Sequence, residues 1–355
     1  MTDLRSDNTA PALPEVLSAI AQACGPESGT ATAYGDDAWT ARLTETLTDW
    51  FECPVAVFPV VTGTAANSMI LSCLSPPHGA IYCHQNAHIM VDECGAPEFF
   101  SGGARLLLLP GEHGRIDRAA FAETLEHYPF GRVHAVQPSA LSLTNVTESG
   151  TLYQIEEIAA LADLAHGKGL GVHLDGARFG HALAALDCTP AELTWKAGVD
   201  ALSLGATKSG ALCAEAVVVF NPETALAGFS AMPYLRKRSG HLLSKMRFAT
   251  AQMQAWLDGD AGRRAGGKAN AMAALLARGV QARNHPAVEI LHPVEANMVF
   301  LRLPEAVSAS LSAAGHHFYP WEPDGPGAIR LVCSHSTTAE GIEAFLADLG
   351  AALTE

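Results

Sequence analysis

Lysine is scarce in this chain: its 355 residues hold only Lys168, Lys196, Lys208, Lys237, Lys245 and Lys268. Basic residues number 22 against 37 acidic ones, for a formal charge of −15. Nucleic acid and anionic membrane surfaces are thereby excluded as expected partners, because both need a basic footprint. Long apolar runs are missing as well, none approaching the roughly 20 residues of a membrane span. The opening Met1-Thr2-Asp3-Leu4-Arg5-Ser6-Asp7 lacks the basic-then-apolar order of a secretory signal. Eight cysteines are scattered without a CxxC pair, so they are expected as reduced core residues in a cytoplasmic protein, with no metal site. What is abundant is apolar: 48% of residues, against 17% charged. That balance suits a compact protein with one large core and a smaller second domain.

Along the chain, short apolar runs alternate with helical periodicity, the pattern of an α/β fold with a mostly parallel sheet flanked by helices. Strands are expected at 55–58, 80–83, 105–109, 133–137, 171–174, 201–204 and 216–220. Helices are expected at 40–51, 63–73 and 153–167; the last places Ile155, Ile158, Leu161, Ala162 and Ala165 on one stripe. Beyond Asn221-Pro222 a long helix dense in cations is expected over 234–257. An Ala-rich helix from about residue 269, with strands near 298–301 and 329–333, then forms a small α+β unit. The expected division is 1–248 for the large domain and 249–355 for the small one.

Two of the apolar strands end in reactive residues. Gly171-Val172-His173-Leu174 runs into Asp175-Gly176-Ala177-Arg178, and Ala201-Leu202-Ser203-Leu204 runs into Gly205-Ala206-Thr207-Lys208-Ser209-Gly210. A carboxylate and a lysine at neighbouring strand ends suit pyridoxal phosphate, whose ring nitrogen wants an anion and whose aldehyde wants an amine. Lys208 alone among the lysines follows a buried-looking strand and sits among small residues, leaving room for a flat cofactor. Considered separately, Lys208 is equally a strand-end surface lysine, and Asp175 is equally a helix N-cap. Arg178 could grip a substrate carboxylate or a phosphate with its planar fork, or simply pair with Asp175. Thr62-Gly63-Thr64-Ala65-Ala66-Asn67 joins a strand to a helix, where free backbone N–H groups make an anion seat. His88, with Asp92 and Glu93 soon after, could stack on a pyridine ring or carry a proton, and His134 is equally ambiguous.

Taken in order, these segments resemble the L-threonine aldolases, a family of fold-type I pyridoxal-phosphate enzymes. Arg5-Ser6-Asp7-Asn8-Thr9 is similar to the family's opening, and Tyr34-Gly35-Asp36-Asp37 to its early YGDD segment. The phosphate turn, Ala87-His88, Asp92-Glu93-Cys94-Gly95, Asp175-Gly176-Ala177-Arg178, Thr207-Lys208, Glu295-Ala296-Asn297 and Ile329-Arg330-Leu331 continue the series over nearly the whole chain. The resemblance implies that Lys208 holds the cofactor covalently, Asp175 faces its ring nitrogen, His88 stacks on it, and Gly63 and Thr64 hold its phosphate. It implies Ser6, Arg178 and Arg330 at the substrate carboxylate, and His134 near the substrate hydroxyl. It further implies a dimer-based homo-oligomer, often a tetramer, in which Tyr34 and a cation from 236–247 reach a neighbouring subunit's site. One departure concerns the pocket for the β-substituent. Thr144-Asn145-Val146-Thr147 stands where some members carry an ENTH-like sequence, and 143–153 and 240–245 resemble another bacterial branch.

The expected activity is retro-aldol cleavage of L-threonine, L-allo-threonine and related β-hydroxy-α-amino acids to glycine and an aldehyde. Phenylserine cleavage, transaldolase chemistry, β-elimination and racemisation share Lys208 and Asp175, and a non-catalytic binding protein would use neither chemically.

Overall fold

The computed structural model describes residues 2–354. Its large sheet comprises β1 (Val55–Val60), β2 (Gly79–His84), β3 (Arg105–Leu109), β4 (Gln137–Thr144), β5 (Gly171–Gly176), β6 (Ala201–Gly205) and β7 (Glu215–Phe220). The spatial order is β1-β7-β6-β5-β4-β2-β3. Pairs from β3 to β6 are parallel, while β6–β7 and β7–β1 are antiparallel. Strands β5, β6 and β7 are buried along their length, as a sheet covered on both faces requires. Alternation then sorts side chains between two cores: Val218 and Phe220 enter one, Val217 and Val219 the other.

A second, antiparallel sheet orders β8 (Glu289–Ile290), β9 (Met298–Arg302), β10 (Tyr319–Pro320) and β11 (Ala328–Val332) as β10-β11-β9-β8. Its core takes Val299, Leu301, Ile329, Leu331, Phe345 and also Leu4 from the other end of the chain. The Leu4 N–H donates to the His317 carbonyl at 2.8 Å, and the Leu4 carbonyl accepts from Val332 N–H at 2.8 Å. The helix Ala261–Arg283 joins both units. Gly262 and Gly266 lie against the backbone of Gly180, where a Cβ on Gly266 would meet it at 2.6 Å, and Ala273, Leu276 and Val280 enter the small core.

Two expected elements differ. The run 133–137 is not a strand: residues 131–136 form turns, and the Gln137 Nε2 donates to the carbonyls of Arg132, Ala135 and Val136. Strand β4 starts at Gln137 and carries Pro138, tolerated because the pairing with β2 shifts register between Ala80 and Ile81. The expected helix over 234–257 is two helices, Met232–Arg238 and Arg247–Leu257, separated at Gly240, whose φ of 81° is left-handed. No helix among the described residues is long and apolar enough to cross a membrane.

Candidate active site

Because β2, β4, β5 and β6 are parallel, their C-terminal ends share one edge of the sheet, where ligands of α/β proteins bind. A cavity of about 660 Å³ opens at that edge and is closed on its far side by Met298, Pro320, Trp321, Pro323 and Arg330 of the small domain. Asp175 pairs in register with Ser203, two residues before the end of β6. A Cβ on Gly205 would lie 2.7 Å from the backbone of Ala177, so glycine there lets the two strand ends touch. Asp175 and Lys208 thus emerge side by side and both line the cavity.

Asp175 is 3% exposed and belongs to an unbroken hydrogen-bond chain. Asn67 Nδ2 donates to Asp175 Oδ2 and to Glu93 Oε1, both at 2.8 Å, and Glu93 Oε1 also lies 2.8 Å from His88 Nδ1. One buried amide therefore bridges two carboxylates, and the second carboxylate fixes the imidazole. The Ala177 N–H completes the Asp175 set at 2.9 Å. The hydrogen bond that Glu93 accepts from His88 raises the His88 pKa, against the opposing effect of burial. Burial, then the Arg178 guanidinium, lowers the Lys208 pKa, while Asp7, Asp175 and Glu215 pull it upward. Such a lysine gives up its proton more readily, as an amine nucleophile needs. Below Asp175 on the same face of β5, His173 is buried between Ser142 Oγ and Ser203 Oγ, each 3.0 Å away, and burial lowers its pKa to about 4.

Arg178 does not pair with Asp175. Its Nε and Nη2 donate to the two oxygens of Asp7 at 2.7 and 3.1 Å, and Asn297 Nδ2 donates to the same carboxylate at 3.1 Å. Burial disfavours the Asp7 anion, yet Arg178, Lys208 and His181 outweigh it and hold the carboxyl well below its ordinary range. Arg330 comes from β11, its guanidinium 4.8 Å from the Trp321 ring centre and its buried Nε without a protein partner. Ser6, Arg178 and Arg330 all line the cavity.

Thr62 caps the helix Gly63–Leu74, its Oγ1 accepting from Ala65 N–H at 3.2 Å. Thr62, Gly63 and Thr64 face the cavity, and no atom lies within 4 Å of where a Gly63 side chain would begin. A helix N-terminus with open space before it suits a phosphate. With Lys208, Asp175 and His88, these residues fit pyridoxal phosphate: an amine of lowered basicity, a buried anion, a flat ring and an anion seat meet in one space.

Two residues lie outside this cavity: Tyr34, expected to reach a neighbouring subunit's site, and His134, expected beside the substrate hydroxyl. Tyr34 is 49% exposed and stacks under Lys237 Nζ, 4.6 Å from the ring centre, so it does not line its own chain's cavity. His134 sits exposed in the turns preceding β4, at the end of that strand opposite the cavity. Conversely, sequence reasoning passed over Asn67 as a ligand, Asp7 as the clamp on Arg178, and Glu148, Glu215 and Trp321 as cavity walls. Asp7 and Asn67 lay inside segments already singled out; Glu148 follows Thr147 directly. Burial pushes both Glu148 and Glu215 up to about 7, and the nearby Asp175 charge adds to this at each.

A model of the beta-eliminating lyase family matches residues 3–306. This chain belongs to that family. As a beta-eliminating lyase family member, it is 41% identical over 345 residues to a low specificity L-threonine aldolase from Pseudomonas aeruginosa, covering 97% of this chain and 96% of that one. Its structure superposes on a threonine aldolase from Leishmania major with a TM-score of 0.90 at 25% identity, covering 99% of this chain and 100% of that one. A serine palmitoyltransferase solved with pyridoxal phosphate shares the fold, at a TM-score of 0.72 and 18% identity, over 99% and 86% of the two chains. Fold-type I architecture, a large mostly parallel sheet with a small antiparallel domain, is thereby established for this lyase family member.

Proposed function

We propose that the protein cleaves L-threonine, L-allo-threonine and related β-hydroxy-α-amino acids to glycine and an aldehyde, using pyridoxal phosphate. The observation carrying this reading is the side-by-side emergence of Lys208 and Asp175, with the His88–Glu93–Asn67–Asp175 chain and two arginines around the same cavity. When bound, pyridoxal phosphate supplies an electron sink conjugated to the substrate's amine. Lys208 would hold it covalently, Asp175 would face its ring nitrogen, His88 would lie on its ring, and Gly63 and Thr64 would seat its phosphate.

The remaining work belongs to side chains. Arg178, preset by Asp7, and Arg330, with its buried Nε free, bind the substrate carboxylate, and Ser6 adds a hydroxyl beside them. Holding that carboxylate fixes the torsion about Cα, so that the Cα–Cβ bond is the one set for breaking. The His88 ring, pinned through Nδ1, restricts where the β-substituent can lie. The β-hydroxyl proton passes to a group lining the cavity near His88, and the Lys208 amine returns a proton to Cα.

Tyr34, exposed and outside its own chain's cavity, would reach a neighbouring copy's, which supports a homo-oligomer with sites at subunit interfaces. Eight free cysteines and the absence of a long apolar helix among the described residues support a cytoplasmic setting. The test is a cleavage assay across the four threonine stereoisomers, following glycine and acetaldehyde. Activity on the L-isomers supports the reading; activity confined to D-isomers, or elimination products instead of glycine, contradicts it.

A further inference from the structure

We propose that Glu148 is the residue that takes the β-hydroxyl proton as the substrate's Cα–Cβ bond breaks. The proposal rests on the retro-aldol reading and adds a catalytic residue to it. Glu148 lines the cavity immediately beyond the segment Thr144-Asn145-Val146-Thr147, at the C-terminal end of β4. The backbone leading to it is held by hydrogen bonds. Asn145 N–H donates to the Asp175 carbonyl at 3.0 Å, and Thr147 N–H to the Thr151 carbonyl at 2.9 Å. The Asn145 side chain is bonded at both ends to the Tyr153 backbone, at 3.2 Å each.

The two carboxylate oxygens differ. Oε1 accepts from the His88 backbone N–H at 2.8 Å, which ties the loop to the imidazole's own helix. Oε2 is buried and has no partner among protein groups. A buried carboxylate oxygen without a donor is costly, and here a substrate hydroxyl would supply the donor. His88 is the obvious rival. Its Nδ1 is bonded to Glu93, and that bond favours the protonated imidazole, leaving it a poor proton acceptor. Glu148 is surrounded by His88, by Asp175 on β5, by Cys83 on β2 and by Tyr153. Burial first, then Asp175, places its titration at about 7, so that it is partly ionised near neutrality.

In the step proposed, the β-hydroxyl proton moves to Glu148 Oε2 and the oxygen's electrons form the aldehyde C=O. The Cα–Cβ pair remains on Cα, which takes a proton from Lys208 to give glycine. Glu148 then releases its proton to water, and Lys208 regains one from water. Protons, atoms and electrons balance without another reactant.

Glu148→Gln tests this, because the amide oxygen keeps the bond to His88 N–H while the titratable oxygen is lost. The holoenzyme variant should lose roughly 10²–10⁴-fold in kcat on L-threonine, with KM little changed. Its affinity for glycine, from spectral titration, should match wild type. Exchange of the glycine Cα proton with solvent, which involves no β-hydroxyl, should continue. The rise of kcat with pH near neutrality should flatten. Glu148→Asp, which keeps a carboxylate on a shorter arm, should recover part of the loss. Undiminished kcat in Glu148→Gln would overturn the proposal alone. Equal losses in kcat, glycine affinity and Cα exchange would also overturn it, showing that Glu148 only positions His88. A wild type inactive on every L-β-hydroxy amino acid would overturn the retro-aldol reading, and this one with it.

Discussion

The large-domain wall of the cavity is a hydrogen-bonded chain from His88 through Glu93 and Asn67 to Asp175, whereas the small-domain wall is a packing of Trp321, Pro320, Pro323 and Met298 with Arg330 lying on the indole. Along the first wall His88, Glu93 and Asp175 each have a protein partner, with Glu148 Oε2 beside them left open. On the second, the buried Nε of Arg330 has none. The two arginines show the same division: Arg178 is locked by Asp7, whose carboxylate Asn297 also holds, whereas Arg330 only stacks. A wall whose partners are already in place can hold a permanent cofactor at fixed orientation. A wall with an uncommitted fork and flat apolar surfaces is suited to ligands that come and go.

Substitutions on each wall should therefore fail differently. The largest effect is expected at Lys208→Ala, with no turnover and no absorbance band at roughly 410–430 nm; a yellow, active variant would break the assignment. Asp175→Asn removes the anion while keeping most of the hydrogen-bonding shape, and kcat should fall roughly 10²–10³-fold with the carboxylate grip intact. On the opposite wall, Arg330→Lys keeps the charge and loses the fork. It should raise KM roughly 10–100-fold and leave the absorbance band unchanged, and a changed band with normal KM would reverse the division drawn here. Trp321→Ala removes the surface under Arg330 and should raise KM about fivefold, with preference among β-substituents altered as well.

The smallest effect concerns stability and pH. Asp7 has a depressed carboxyl, so its contribution is fully present above the unfolded value of about 3.9 and is lost as pH falls toward the folded one. Wild type should lose melting temperature on acidification through that range more steeply than Asp7→Asn does; parallel slopes would show that the Arg178 clamp does not stabilise the fold.

The sheet was largely legible in the sequence because its central strands are buried on both faces and read as apolar runs, unbroken at 216–220 and interrupted only by His173 and Ser203 at 171–174 and 201–204. Strand β4 was misplaced because Pro138 interrupts its pattern, and the register shift that accommodates proline is a property of the pair, not of the strand. The separation of Met232–Arg238 from Arg247–Leu257 was hidden because helical periodicity persists across Gly240. Lys208, Asp175, His88 and the turn at Thr62 were legible because each lies at or just beyond the end of a strand and has a chemistry that small neighbours expose. The bridge made by Asn67 was not, since it joins residues 26 and 108 positions away through one amide. Asp7 lies 171 positions from Arg178, and no local spacing can reveal that pair.

The most direct test of the central assignment is borohydride reduction of the purified holoenzyme, followed by peptide mass spectrometry. The account predicts one pyridoxyl-phosphate adduct, on the peptide carrying Lys208, together with loss of the yellow colour and of L-threonine cleavage. An adduct on any of the other five lysines, or a colourless protein that takes up no cofactor, would contradict it.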